Sequence, residues 1–406
     1  MVGLSEVAKN LKPSPTLAMS AKARQLTEQG EKVIHLGAGE PKVKVPFDAI
    51  MAASAKLVSA EIRYTPTKGI PALVNAIIGY TEQNYNKTVG KPNIIASAGA
   101  KQAIYNLLMA VLNPGDEVVL LAPYWVSYPD IVEMHRGVPV VVKAADGGFI
   151  PTFEEITGAV TDRTRAIMVN SPNNPSGAVY PPDLIGQLVE FCEEKDVLLV
   201  MDDIYHKLVF DGLKAVSPFD YTKKDIEETN VVVLNGVSKA FAMTGFRIGW
   251  TVANSKLVSA MTNIAGQNTT CPSGVQQAAA AGALDGNQNG VESLRLILQN
   301  NRDIMVRELQ SMGGVKIQPP QGTFYCLPDF TAFGDSSVEM SNFLLDKARV
   351  VTVPGAEFGM EGYLRVSVCG SVADIIEGVK RIRWALDPES PDEIYIGDKL
   401  CKRDWA

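Results

Sequence analysis

Val231-Val232-Val233-Leu234-Asn235-Gly236-Val237-Ser238-Lys239 opens as a β-branched apolar run and ends in a turn, a serine and a lysine. An apolar run without polar alternation reads as a strand buried on both faces. The same grammar recurs upstream. Glu117 to Ala122, Val138 to Val142, Ala166 to Val169 and Val197 to Met201 are further short apolar runs, and stretches with helical spacing, such as Asp183 to Glu194, lie between most of them. Near-continuous apolar strands alternating with helices predict an α/β fold, a largely parallel sheet covered on both faces.

The residues just beyond each strand carry the chemistry. After Leu121 comes Ala122-Pro123-Tyr124-Trp125; after Val169, Asn170-Ser171-Pro172-Asn173-Asn174-Pro175-Ser176-Gly177; after Met201, Asp202-Asp203-Ile204-Tyr205; after Leu234, the turn into Ser238-Lys239. In a parallel sheet these ends share one edge, the edge at which open α/β folds bind ligands. An indole, an amide, a carboxylate, a phenol and an amine therefore converge on one crevice. Alone, each has a plain reading: Lys239 and Arg247 as surface cations, Asp202 as a helix cap, Trp125 as core, Asn174-Pro175 as a turn. Their order at successive strand ends argues against that.

A lysine in an apolar setting can form an imine with an aldehyde. A carboxylate can hold a pyridinium nitrogen protonated, a phenol and an amide can hydrogen-bond a ring oxygen, and an indole can stack on a heteroaromatic face. Pyridoxal 5'-phosphate needs these partners, and its protonated ring then acts as an electron sink. Arg247, eight residues after Lys239, and the helix start at Ser97-Ala98-Gly99-Ala100-Lys101 suit its phosphate.

Bulk properties agree. The chain has 406 residues, 46 % of them hydrophobic, and a net charge of −7, which disfavours a general nucleic-acid or anionic-membrane binder. No apolar run is long enough for a membrane span and the start shows no signal core. The cysteines are odd in number, scattered and without a CxxC pair, and histidines are few, so no metal site or disulfide framework is expected and the reading is reduced thiols in a cytoplasmic protein. The chain divides into an N-terminal segment (1–45) packing with a small domain, a large cofactor-binding domain (46–288), a smaller α+β domain (289–387) and a C-terminal extension (388–406) of open order. The small domain carries a long helix near Val291 to Met312, short strands near Phe324 to Leu327 and Tyr363 to Val368, and a helix over Ala373 to Leu386.

At these residues the sequence resembles the class I/II aminotransferases, pyridoxal-phosphate enzymes of fold type I, and within them the bacterial and plant aspartate and prephenate aminotransferase subgroup. The resemblance rests on Gly37-Ala38-Gly39-Glu40-Pro41, Arg63-Tyr64-Thr65, Pro123 to Tyr128, the Asn-Pro-Ser-Gly turn, Asp202 with Tyr205, Ser238-Lys239, Gly245-Phe246-Arg247-Ile248-Gly249 and Pro320 to Tyr325, and runs from about Ser14 to Leu386. It implies a large domain with a mostly parallel seven-stranded sheet and a homodimer with shared active sites. Lys239 would hold the cofactor as a Schiff base and move protons; Asp202 would pair with the pyridinium nitrogen, Tyr205 and Asn174 with the ring oxygen; Trp125 would stack. Arg247, Ala100 and Lys101 would hold the phosphate, with Tyr64 reaching the phosphate of the neighbouring subunit. Arg365 would clamp the substrate α-carboxylate with Gly39, and Ser14, Thr16 and Lys101 would read a distal carboxylate. The implied reaction is ping-pong transamination, aspartate aminotransferase first, with transfer to prephenate, a β-lyase of the same fold and a non-catalytic regulator as alternatives. Ser176, Asp203, His206 and Phe246 depart from the subgroup's pattern, Gly236 stands where many relatives carry a hydroxyl residue for the phosphate, and the Val368-Cys369-Gly370 run close to Arg365 bears on fine substrate preference.

Overall fold

The structure, a computed structural model, describes residues 2–11 and 15–405, and within them all side chains but those of residues 10 and 15–17. Its centre is a seven-stranded sheet: β1 (Ile94–Ser97), β2 (Glu117–Leu121), β3 (Val138–Val142), β4 (Thr164–Asn170), β5 (Leu198–Asp202), β6 (Val231–Gly236) and β7 (Gly249–Val252). The spatial order is β1-β7-β6-β5-β4-β2-β3. β7 runs antiparallel to both neighbours; the other pairings are parallel. Alternate residues of each strand serve opposite faces, as the pleat requires. Val231, Val233, Leu199, Met201, Ile167 and Val169 pack under helices Phe47–Val58, Pro71–Tyr85, Pro182–Lys195 and Gly274–Asp285. Val232, Leu234, Val200, Ala166 and Met168 pack under Ala100–Val111, Ser127–Met134 and Ser255–Asn268. Each fully buried Val or Leu contributes about 1.5–3 kcal/mol relative to exposure, so this two-faced core dominates the favourable side of folding.

Two strands and one assignment differ from the reading of the runs. β1 and β7 are only four residues each and escaped it. The Val138–Val142 run, expected to be buried like the others, is β3 at the open edge, with Val138 and Val141 exposed. Pro139 is the physical reason: lacking an N–H, it is tolerated where one side of the strand has no partner.

A second core gathers helices Asn289–Gln310 and Val372–Leu386 over a three-stranded antiparallel sheet of Val353–Pro354, Leu364–Ser367 and Tyr325–Cys326. It also takes in Ile204, Tyr205, Leu208 and Phe210 from just beyond β5, so the two cores meet where that strand ends. The N-terminal segment joins this body through Ile34–His35, which pairs parallel with Val350–Val351. The C-terminal stretch, whose order composition left open, forms a hairpin of Glu393–Ile396 and Lys399–Lys402. Trp405 then packs edge-on against Trp384 (5.1 Å) and Phe343 (5.5 Å), and its Nε1 donates to Ala385 O at 3.2 Å. No helix among the described residues is long and apolar enough to cross a membrane.

Trp405 is the anchor of that hairpin. Trp405→Ala is expected to accelerate amide exchange over residues 393–402 while leaving β6 protected. Unchanged exchange in the hairpin would show that its own strand pairing suffices.

Candidate active site

The carboxyl ends of β2, β4, β5 and β6 share one edge with the start of the antiparallel β7. Between that edge and the second core lies a cavity of about 300 Å³. Lys239, Asp202, Tyr205, Asn174 and Trp125 line it from the strand ends; Ala100, Lys101 and Arg247 line it from the helix start and from the turn before β7; Gly39 and Arg365 line it from the N-terminal segment and the small sheet. Tyr64 stands elsewhere on this chain, 89 % exposed. Ser14 lies outside the described residues, and so does the side chain of Thr16.

Lys239 Nζ donates to Gly39 O at 2.8 Å. Burial lowers its pKa to about 8, with Arg365 and Arg247 pushing the same way and Cys369 and Glu40 opposing. Asp202 is buried; Tyr128 Oη donates to its Oδ2 at 2.6 Å and Ile204 N to its Oδ1 at 3.4 Å. Burial raises this carboxyl to about 6 against those hydrogen bonds and the Lys239 charge. Asn170 Nδ2 donates to Asp202 O at 2.7 Å, and its Oδ1 accepts from Asn174 N at 2.8 Å, so one amide fixes the β5 end and the following β4 turn together.

Arg365 is 3 % exposed. Its Nη1 donates to Asn174 Oδ1 (3.1 Å) and Nη2 to Gly37 O (3.2 Å), while the guanidinium stacks on Tyr325 at 4.2 Å and lies 5.0 Å from Phe358. Its Nε has no partner. No carboxylate of the described residues pairs with it, which leaves a buried planar cation suited to a ligand's carboxylate. A Cβ on Gly39 would lie 2.5 Å from Tyr325 Oη, so a side chain there would push that phenol out of place.

A second cationic group lines the same cavity. Arg247 Nη1 donates to Thr244 O at 2.9 Å, and a Cβ on Gly99 would collide with its Nη2. Gly99, with φ +85, begins the helix Ala100–Val111, so free backbone N–H groups and a guanidinium form one cradle. Lys101 Nζ donates to Ser127 Oγ at 3.1 Å and lies 4.8 Å from the Trp125 ring. Burial, then Arg247, lowers its pKa. A buried anionic acceptor for a ring nitrogen, an amine with a lowered pKa and a phosphate-sized cradle fit pyridoxal phosphate.

The family description "Aminotransferase class I and II" matches residues 31–382. The chain belongs to the class I and II aminotransferases. Among curated relatives it is 38 % identical to an aspartate aminotransferase of Bacillus sp. (strain YM-2), over 93 % of this chain and 98 % of that protein. It is 37 % identical to the aspartate/prephenate aminotransferase of Thermus thermophilus, over 95 % of this chain and 99 % of that one. The solved Thermus thermophilus aspartate aminotransferase with maleate superposes with a TM-score of 0.90 at 37 % identity, over 95 % of this chain and all of that chain. As an aminotransferase of this family, the protein works with pyridoxal phosphate on amino and oxo acids.

Reading the aminotransferase sequence by strand ends missed Tyr128, Asn170 and Tyr325. Tyr128 had a signal: it follows Trp125 by three residues at the opening of helix Ser127–Met134, which places both on one face. Asn170 and Tyr325 stand in stretches already quoted, but the residues they hold there, Asp202 and Tyr205, are distant in sequence.

The lowered Lys239 pKa predicts the pH dependence of cofactor capture. The neutral amine is the nucleophile, so its fraction rises with pH and reaches one half at about 8. Stopped-flow absorbance on cofactor-free protein should show that midpoint, and Lys239→Ala should abolish the lysine-bound band. A midpoint near the ordinary lysine value would contradict the buried amine.

Proposed function

We propose that the enzyme transfers the amino group of L-aspartate to 2-oxoglutarate, giving oxaloacetate and L-glutamate, at sites shared across a homodimer. The carrying observation is the cavity's charge: Arg365, Lys101 and Arg247 line it together with Lys239 and a single carboxylate, Asp202. A substrate with a carboxylate at each end matches that arrangement, and maleate, the ligand of the solved Thermus thermophilus relative, is such a dicarboxylate.

Arg365 takes the α-carboxylate as a two-pronged donor, turned toward it by Gly37 O and Asn174, with Gly39 backbone alongside. Lys101, with Ser14 and Thr16, takes the distal carboxylate. Arg247 and the Ala100 helix start hold the cofactor phosphate, Trp125 covers the ring, and Tyr205 and Asn174 face its oxygen. Bound pyridoxal phosphate supplies the electron sink for the carbanion formed at the substrate Cα. Asp202 keeps the ring nitrogen protonated, itself held in place by Tyr128. Lys239 Nζ would hold and move the proton at the substrate Cα; its lowered pKa makes the neutral amine available near neutral pH.

Support for the dimer is the apolar surface around Tyr64. Phe47, Met51, Leu57 and Val58 from one helix, with Ile62 beyond it, are exposed on this single chain. A contiguous apolar face of that kind marks an interaction surface, and it would deliver Tyr64 to the neighbouring subunit's phosphate.

The spectral half-reaction tests the substrate. L-aspartate without an oxo acid should convert the lysine-bound absorption to that of the aminated cofactor; offering 2-oxoglutarate, oxaloacetate and prephenate as acceptors then separates aspartate from prephenate transfer. An unchanged spectrum would refute the dicarboxylic donor. Lys101→Gln should raise KM for aspartate by about tenfold and leave alanine nearly unaffected, whereas Arg365→Ala should cut kcat/KM for both by about a hundredfold.

A further inference from the structure

Residues 60–70, which carry Tyr64, contain no helix or strand. Backbone bonds hold the far end of this segment, from Ala96 N to Lys68 O and from Gly69 N to Pro66 O, each at 2.9 Å, and side chains hold the rest. One side chain dominates: Gln277, fully buried in the first turn of helix Gly274–Asp285. Its Oε1 accepts from Ile70 N at 2.6 Å, and its Nε2 donates to Thr65 Oγ1 at 2.8 Å and to Pro272 O at 2.8 Å. Turning the amide over would set N–H against N–H and oxygen against oxygen, so the orientation has a single solution. The loop is shaped to it. Gly69 has φ +114, and a Cβ there would lie 3.2 Å from Gln277 Oε1. A Cβ on Gly274 would lie 3.2 Å from Thr65 Cγ2, and Thr65 N donates to Cys271 Sγ at 3.4 Å.

Residues 269–272, which lead into the Gln277 helix, also reach this chain's own phosphate cradle. Gln102 Oε1 accepts from Ala98 N at 2.6 Å and its Nε2 donates to Thr269 Oγ1 at 2.7 Å. Residues 269–272 thus tie the cradle of one site to the loop extended toward the other.

We propose that Gln277 is a positioning residue acting in trans: it sets the loop that presents Tyr64, and so governs how tightly the neighbouring subunit holds the cofactor phosphate. This rests on the proposed role of Tyr64 in serving a dimer partner. Gln277 touches neither cofactor nor substrate; removing its amide leaves Ile70 N and Pro272 O without their buried partner, and the loop relaxes to recover them.

Heterodimers with distinct affinity tags test it. In the first, one chain carries Lys239→Ala with Gln277→Leu and the other is wild type. The sole competent lysine then depends on the altered loop of its neighbour, and cofactor affinity, read from the lysine-bound absorption of cofactor-free protein titrated with pyridoxal phosphate, should fall about tenfold or more. In the second, Lys239→Ala is on one chain and Gln277→Leu on the other, and affinity should stay at the wild-type level. Equal weakening in both, or in neither, would overturn the proposal. Thr65→Val in the same pairings removes one hydrogen bond at a half-buried position and should reproduce the pattern more weakly, which covers a Gln277→Leu chain that fails to fold. Tyr64→Ala in the first arrangement is the control: no effect there, or a monomer by light scattering, sinks the dimer reading itself and the proposal with it. Faster amide exchange at Ile70 in cofactor-free Gln277→Leu protein should accompany the loss of affinity.

Discussion

Removing a charged side chain from water costs several kcal/mol unless an opposite charge or hydrogen bonds replace the solvent. The cavity lining contains Asp202, Lys239, Arg365, Arg247 and Lys101, one carboxylate against four cations. The imbalance shapes the site. Lys239 responds by lowering its pKa, which is what a nucleophilic amine requires. Arg365 cannot respond that way, so it leans on a carbonyl, an amide oxygen and two aromatic faces. Its remaining charge is answered by a ligand. A phosphate at Arg247 and carboxylates at Arg365 and Lys101 bring the cavity toward neutrality, and that requirement favours dianionic substrates before any shape argument.

The sheet topology is what lets so many charges reach one place. Parallel strands deliver Asp202, Asn174 and Lys239 at one edge, and β7, running the other way, begins there. Arg247 therefore stands just ahead of an antiparallel strand, two residues before Gly249, rather than after a parallel one. Gly249, the first residue of β7, packs directly against the Ala100 backbone, where any Cβ would collide. The phosphate cradle and the central sheet are thus assembled by the same contact.

The buried strands were legible because burial on both faces erases polar alternation, and the ends of such strands must carry any chemistry. The edge strand was misread in burial although Pro139 marked it. β1 and β7 were too short to stand out as runs, and the seven-stranded total came only from the family resemblance. Within the site, the quoted stretches point to the residues that touch the ligand, and Tyr128, Asn170 and Tyr325 stand in the same stretches without showing that they hold other residues. Asn170, Tyr325 and Gln277 work through partners about 30 to 200 residues away in the chain, and only the folded geometry pairs them.

Asp202 and Asp203 are adjacent at a strand end, so their side chains leave on opposite faces. Asp203 enters a buried cluster with Tyr85, Tyr80, Asn235 and His206, where Tyr80 Oη and His206 Nε2 lie 2.8 Å apart. Burial drives His206 down to about 3 and Asp203 well above its ordinary range, with the Asp202 charge adding to the second shift. Both shifts favour the neutral forms, so the back of the strand presents little charge to the front. Asp202 is then the single anion facing the ring nitrogen. Its carboxyl, near 6 with only Tyr128 and Ile204 as donors, falls when a pyridinium approaches, and by linkage the pyridinium holds its proton more tightly by the same free energy. Holding the cofactor and keeping it an electron sink are one equilibrium, and the neutral cluster behind Asp202 keeps a second carboxylate from weakening it.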